Sequence, residues 1–538
     1  MVLKTKSSTK SILFIVEKGI IEGKYYFGSS GDLFFIAQAL RSGFIVYLTT
    51  PKQIIEQGKV SDFLAIKLST NLNQNQIDEQ IKSAWHNQVI NAFVALEIDV
   101  NDDEKAKSVI LFDDAKIEKI NICQISIFNR AEPTSLNDKF YDVLINWQKN
   151  GAKILPNPYL NKTLGDKLAI DAIHYNKSIA GIDLLADIDL KNQNNQISFE
   201  SKIINISCNI LTGAEIIKFY NLLATKDLAK AKKLFEEEYN IFMRGVKEYI
   251  EFHKKLDSSS VIKPLNYFSG IGIVATKNQK LNLELAIQNI INSFFAIKQD
   301  CQKRDHLAFL PAIIVQKIAT EAHLGDLRIV LCGDNLQGIF VRVNRNFDLS
   351  NINNLCFGGH PQSLFKHYPI NKDGVDNIII DMKDAGSNIA NIQKAQALYG
   401  LIDSINFLKQ IKIFKQYPII GIDALLTKDG DKNYRYGINE INLTSPMGQV
   451  QLIILTIATK LSNLALQTLI KDNLSDQINL AKYQVLADYF IDQTSQTALI
   501  AKKILLQDEQ LNNLIAAEID QFLLGDNFAS QTIQHFIS

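Results

Sequence analysis

The run Gly437-Ile438-Asn439-Glu440-Ile441-Asn442-Leu443-Thr444-Ser445-Pro446 sets a carboxylate and a carboxamide two residues apart. Side chains alternate along an extended chain, so Glu440 and Asn442 share one face and Ile441 turns to the other. A second carboxylate, Asp423, stands in the apolar run Ile419-Ile420-Gly421-Ile422-Asp423-Ala424, and the polar stretch Lys428 to Tyr434 between the runs reads as a turn. If the runs pair, three hard oxygen donors converge. Such a set suits magnesium, which demands oxygen ligands and keeps several sites for water and phosphate. The same residues also fit a plain hairpin with a polar wet face.

Candidate partners for an anion are spread upstream. Val261 to Val274 reads as strand, turn, strand: Lys263 points from a strand end over the turn, and Gly270 and Gly272 let backbone amides approach an oxyanion. Lys167 stands at the start of a predicted helix, the end that attracts anions. Gln316, Lys317, Ile318 and Ala319 close a short strand whose backbone groups are available to a purine edge. Arg328 and Arg342 lie in successive strand-like runs joined by Gly333-Asp334-Asn335, where planar guanidinium groups fork a phosphoryl or carboxylate group. Taken singly, each of these fits an ordinary surface cation on a hairpin or helix. The sequence has no Walker A motif, GxGxxG fingerprint, HExxH or nucleophile elbow.

The elements that must position these residues are legible from periodicity. Ile12 to Val16 reads as a buried strand, Asp32 to Arg41 as a helix with Leu33, Phe34, Ile36, Ala37 and Leu40 inward, and Phe44 to Leu48 as the next strand, a βαβ unit. Strand-like runs at Ala92 to Ile98 and Ile120 to Phe128, then a helix from about Leu136 to Lys149, extend one α/β domain to about residue 155, where Pro156-Asn157-Pro158 marks a boundary. A helix is expected from Lys167 to Lys177 and a surface connection from Leu190 to Ile197. Between Ala214 and Leu256 helical spacing predicts two or three amphipathic helices, with Glu236-Glu237-Glu238 outward. Helical periodicity returns after Met447.

At 538 residues the chain divides into about three or four domains. Hydrophobic residues make up 46% and charged residues 21%, as in a soluble globular protein. Lysine plus arginine (57) balance aspartate plus glutamate (57), which offers a polyanion no handle, so nucleic acid and membrane surfaces are not expected partners. Cys123, Cys208, Cys301, Cys332 and Cys356 are odd in number and widely spaced, which points away from a disulfide framework and toward a reducing, cytoplasmic setting. The apolar run after the basic start is cut off at Glu17-Lys18, and no run approaches the roughly 18 residues that cross a bilayer.

The order of these pieces resembles bacterial glutathione synthetase, a member of the ATP-grasp superfamily of carboxylate-amine ligases. NxP…DKL, KPL with a glycine turn, a Q-x-I hinge, GDxR, R-x-N, NNLCFGGHP, an aspartate and EINLTSP stand here where that family has NxPxxLRDxNEKL, KPLDGMGG, a QxYLP-like hinge, GDKR, AR, RGNLAAGG and EINVTSPT. The resemblance runs from about Ser11 to Gly448. It implies an α/β ATP-grasp fold: an N-terminal α/β substrate domain over 1–155, a central ATP-grasp subdomain over 156–318 with a helical insertion at about 186–258, a C-terminal subdomain over 319–472 with metal site and lid, and a helical extension over 473–538.

It further implies that Lys167 and Lys263, with Gly270 and Gly272, bind ATP phosphates, that Gln316, Lys317, Ile318 and Ala319 line the adenine, and that Arg328 and Arg342 face the transferred phosphoryl group. Asp423, Glu440 and Asn442 would bind Mg2+ or Mn2+. Arg130 would face substrate, as would Asn354, Gly358 and Gly359 in a lid spanning Val343 to Pro361. The implied reaction joins γ-glutamylcysteine to glycine through an acyl phosphate. Tyr267, Phe268, Ser269 and His360 depart from the family pattern. These departures leave open a ligase acting on another peptide or amino-acid acceptor, and a non-catalytic ATP-binding regulatory module. The two additions read as assembly elements of a homo-oligomer.

Overall fold

The computed structural model describes residues 10–16, 18–21, 24–27, 30–59, 61–68, 115–131, 137–159, 161, 178–179, 182–183, 199–208, 211, 213–265, 267, 270–303, 310–332, 335–344, 359–362, 397, 401, 417, 419–429, 433–443, 509, 513, 517, 532–533 and 536. It is an α/β protein built on three main sheets.

The first comprises β1 (Ser11–Ile15), β4 (Ile45–Thr49), β5 (Asp62–Leu68), β6 (Ala115–Asn121), β7 (Ser126–Asn129) and β8 (Lys153–Leu155), in the order β6-β5-β4-β1-β7-β8. Between β1 and the helix α1 (Ser30–Arg41) lies a hairpin, β2 (Lys18–Ile21) and β3 (Lys24–Phe27). As the βαβ reading expects, β1 runs parallel to β4, and it also runs parallel to β7. Ile12, Leu13, Phe14 and Ile15 are fully buried, as a strand covered on both faces must be. On α1, Ile36 and Leu40 are buried as expected, joined by Phe35 and Ala39. The short α2 (Pro51–Gln57) starts at a capping box between Thr50 and Gln53.

The run expected as one strand from Ile120 to Phe128 is two strands. Asn121 accepts a hydrogen bond from the Cys123 amide at 3.0 Å, opening a 3₁₀ turn over Ile122–Gln124 before β7. The helix expected from Leu136 is α3 (Asn137–Lys149). Ala92 to Ile98 and the helix expected over Lys167 to Lys177 lie outside the described residues.

A two-strand pair, β9 (Ser178–Ile179) and β10 (Ile182–Asp183), precedes the second sheet. That sheet contains β11 (Ser201–Asn205), β12 (Ser260–Pro264), β13 (Val274–Thr276) and β14 (Ala312–Lys317), antiparallel in the order β11-β14-β12-β13. The amphipathic stretch is three helices, α4 (Gly213–Ala224), α5 (Leu228–Leu234) and α6 (Glu236–Lys255), which share a core with α7 (Leu283–Lys303). Within it Tyr220 stacks on Phe294 with centroids 3.7 Å apart. The stretch expected as an insertion therefore supplies a strand, β11, that pairs with β14. Glu236 and Glu237 face outward, but Glu238 is buried, accepting hydrogen bonds from the amide and thiol of Cys208 at 3.0 and 2.6 Å. A run of three residues sweeps about 200° of a helix, so it cannot keep one face.

The third sheet is antiparallel, in the order β17-β16-β15-β18-β19: β15 (Asp326–Cys332), β16 (Asn335–Asn344), β17 (Gly359–Gln362), β18 (Ile420–Asp429) and β19 (Asn433–Asn442). At the other end of the chain, Thr532, Ile533 and Phe536 are buried, and the Phe536 ring lies 5.2 Å from that of Phe128 on β7. Among the described residues no helix is long and apolar enough to cross a membrane.

Candidate active site

The β18–β19 pairing places Asp423 opposite Glu440, and Gly421 opposite Asn442. Ile441 is buried on the other face, as strand alternation requires. The Asn442 carboxamide reaches across to donate to Asp423 Oδ2 at 3.3 Å. The three oxygen-bearing residues thus adjoin one another.

On the neighbouring strands the charges alternate. Asp326 and Arg328 share a face of β15; Arg342 stands opposite Asp326 on β16, and Asp423 opposite Arg328 on β18. Arg342 forks Asp326 with two hydrogen bonds of 2.7 and 2.6 Å and also reaches Asp423 Oδ2 at 3.0 Å. Arg328 forks Asp423 in the same bidentate manner, its Nη2 3.0 Å from Oδ2. All four side chains are buried.

Burial alone raises a carboxyl pKa. At Asp423 the two guanidinium groups overcome it and hold the group down at about 2. At Asp326 burial prevails over Arg342, and the carboxyl is pushed up. Burial works against the charge of Arg342, but the two carboxylates outweigh it and raise its pKa. The four groups form one interlocked network, so its members do not titrate independently.

Across from this wall, Lys263 on β12 is buried, its Nζ 2.6 Å from Gln316 Oε1 and 2.5 Å from Asn439 Oδ1. The turn after β12 is braced against α7. Ser293 Oγ donates to the Gly272 carbonyl at 2.6 Å, and the Tyr267 hydroxyl donates to Asp300 at 2.7 Å. Gly272 has φ +77, and a Cβ there would lie 2.8 Å from Pro264 Cγ and 3.0 Å from Ser293. The departure at Tyr267 is thereby explained: the ring is buried as an anchor to α7, and burial with the Cys301 and Asp300 contacts pushes its hydroxyl pKa up.

These walls enclose a cavity of about 380 Å³. Of the residues singled out in the sequence, it collects Lys263, Gly270, Gln316, Lys317, Ile318, Ala319, Arg342, Asp423 and Glu440 in its lining. Arg328, Gly272 and Asn442 stand behind that lining, touching the residues that form it or brace it. Arg130 is elsewhere: it follows β7 at the C-terminal edge of the first sheet, buried, its guanidinium 4.8 Å from the Phe35 ring centroid. Gly359 is described through its strand, where it pairs with Asn344. Lys167, Asn354 and Gly358 lie outside the described residues, as do residues 345–358 of the expected lid.

Sequence reasoning left Asp326, Asn439, Lys277 and His323 unassigned, and all four line the cavity. The signal for Asp326 was present, two residues before Arg328 at strand spacing. For Asn439 the signal is the spacing of Ile438 and Ile441, three residues apart where unbroken alternation would put apolar residues two apart.

No protein-family model matches the sequence, and no curated protein matches it. Among solved structures the chain is similar to D-cycloserine synthetase DcsG, at 9% identity over 81% of this chain and 92% of that one, with a TM-score of 0.34. It is similar to a RimK domain protein ATP-grasp from Sphaerobacter thermophilus at 11% identity, over 81% and 92%, with a TM-score of 0.34. D-alanine–D-alanine ligase from Bacillus anthracis, complexed with ATP, aligns at 9% identity over 92% and 99%, with a TM-score of 0.31.

Proposed function

We propose that the chain is an ATP-dependent carboxylate-amine ligase working in an ATP-grasp cleft between the second and third sheets. The observation that carries this reading is the cavity itself: Lys263 and the β14 strand end form one wall, and Arg342, Asp423 and Glu440 form the other. A polyphosphate needs the cations, and a hard divalent ion needs the carboxylates.

The donor set fits magnesium. Asp423 and Glu440 would hold it with Asn442, and its charge would offset phosphate charge during transfer. Among the described residues no three His, Cys, Asp or Glu side chains gather as a metal nest, so phosphate oxygens would complete the coordination. Lys263 would anchor the phosphates; Gln316 to Ala319 would take the purine edge. Arg342, already paired to two carboxylates, would turn a guanidinium N–H toward the transferred group. Arg328 would keep Asp423 oriented. The acceptor carboxylate attacks the terminal phosphate to give an acyl phosphate and ADP; an amine then attacks the acyl carbon and phosphate leaves. No covalent enzyme intermediate is needed, so positioning and charge supply the catalysis.

For the acceptors, the motif order favours γ-glutamylcysteine and glycine, with Arg130 and Lys167 as substrate and phosphate contacts and a cytoplasmic setting. Purified protein is to be screened for ADP formation with that pair and with other dipeptide and amine pairs. Turnover with one pair is expected, falling by about 10²–10³ in Glu440→Gln. ADP formation with no pair, together with no ATP binding, would sink the reading.

A further inference from the structure

The residue before Glu440 has an unexpected place. In the β18–β19 register Asp423 pairs with Glu440 and Ala424 with Ile438, so Asn439 is the extra residue of a β-bulge. An unbroken strand sends consecutive side chains to opposite faces; a bulge lets two neighbours face the same way. Asn439 and Glu440 accordingly both line the cavity. From there Asn439 Oδ1 accepts a hydrogen bond from Lys263 Nζ at 2.5 Å, across the gap between the second and third sheets. A second amide oxygen on that ammonium, Gln316 Oε1 at 2.6 Å, belongs to the lysine's own sheet.

We propose that Asn439 is a positioning residue for the phosphate-binding lysine: its carboxamide fixes Lys263 from the opposite sheet and so couples the nucleotide wall to the carboxylate wall. The inference rests on the ATP-binding reading given above. The geometry gives it content. A lysine ammonium on a four-carbon stem is a mobile point charge, and two acceptors in different sheets define one position for it. Because Asn439 adjoins Glu440 in the bulge, any shift of the carboxylate strand is passed to the lysine. Leucine matches asparagine in size and offers no acceptor, whereas aspartate keeps an acceptor and places a negative charge where phosphate would approach.

The test is calorimetric titration of ADP into the full chain for the wild type, Asn439→Leu, Lys263→Ala and the double variant. Asn439→Leu is expected to weaken ADP binding about tenfold when Lys263 is present, the loss of a charge-assisted hydrogen bond, and to add nothing in the Lys263→Ala background. Asn439→Asp is expected to weaken ADP binding at least as much, with no fall in melting temperature. Equal weakening in both lysine backgrounds overturns the inference, since Asn439 would then act on the nucleotide or the fold directly. Should Asn439→Leu fail to fold, Asn439→Ala, which also lacks an acceptor, takes its place in the cycle with the same expectation. A wild type that binds no ADP overturns the ATP reading itself. A wild type that binds ADP as tightly as Lys263→Ala keeps nucleotide binding and overturns the role of Lys263 and of Asn439 with it.

Discussion

Asp423 carries more of the site than any other single residue. Of the N–H groups on its two oxygens, Arg328 supplies one on Oδ1, while Arg328, Arg342 and Asn442 each supply one on Oδ2, so Oδ1 is the oxygen that would face a metal ion. The arginines hold its pKa at about 2, below the roughly 3.9 of an unfolded chain. A depressed carboxyl stabilises the fold above the unfolded value and loses that contribution as pH falls toward the folded one. The contribution is present above about pH 4 and is lost as pH falls toward 2. Asp423→Asn, measured in chelator, is therefore expected to melt lower at neutral pH and to lose less stability than wild type between pH 4 and 2. Asp326, displaced upward, contributes the opposite slope at higher pH, and the comparison of variants separates the two. Parallel melting curves over that window would show that the arginines do not hold Asp423 ionised. The residue types of this network were legible in the sequence. Its pairings were not, because they depend on which strands become neighbours and in what register, and β15 meets β18 across a stretch of about 90 residues.

At the scale of elements, the strand–turn–strand around Lys263, the β14 end and the β18–β19 hairpin follow from apolar alternation and were read from it. The bulge at Asn439 was not, although it breaks the alternation: the buried Ile438 and Ile441 stand three residues apart instead of two. Nor was the bracing of the glycine turn, because Ser293 and Asp300 lie a helix away in sequence. That bracing makes a prediction. Alanine at Gly272 would take φ +77 and meet Pro264 and Ser293. Overpacking of this kind costs about 1–3 kcal/mol, relieved here by moving the turn away from α7. Gly272→Ala is expected to lower both the melting temperature and ADP affinity, although the glycine is not in the cavity lining. Tyr267→Phe removes the hydrogen bond to Asp300 and should lower stability with a smaller effect on ADP, as its ring faces α7. An unchanged ADP affinity in Gly272→Ala would separate the turn from phosphate binding.

For the whole molecule, the described residues of the two stretches read as additions pack within the chain. β11 completes the second sheet, and the helices after it close its core. The far end of the chain returns to the first sheet, where Phe536 joins Phe14, Phe35 and Phe128 in contacts of 5.2–5.7 Å between ring centroids. Arg130 stacks on the same Phe35, at the edge where β1 and β7 end and the strand order turns back, the place where open α/β sheets take ligands. Sequence periodicity marks a helix as amphipathic without naming the surface it covers, so the same apolar stripe fits a subunit interface and an intrachain contact equally. Burial of Thr532, Ile533 and Phe536 within one chain favours the intrachain role for these residues. Phe536→Ala empties a buried aromatic site and is expected to cost about 3–5 kcal/mol. Chemical denaturation should register that loss while light scattering returns the wild-type mass. A change of mass with stability retained would instead assign the end of the chain to assembly, and would return the homo-oligomer reading of the tail to first place.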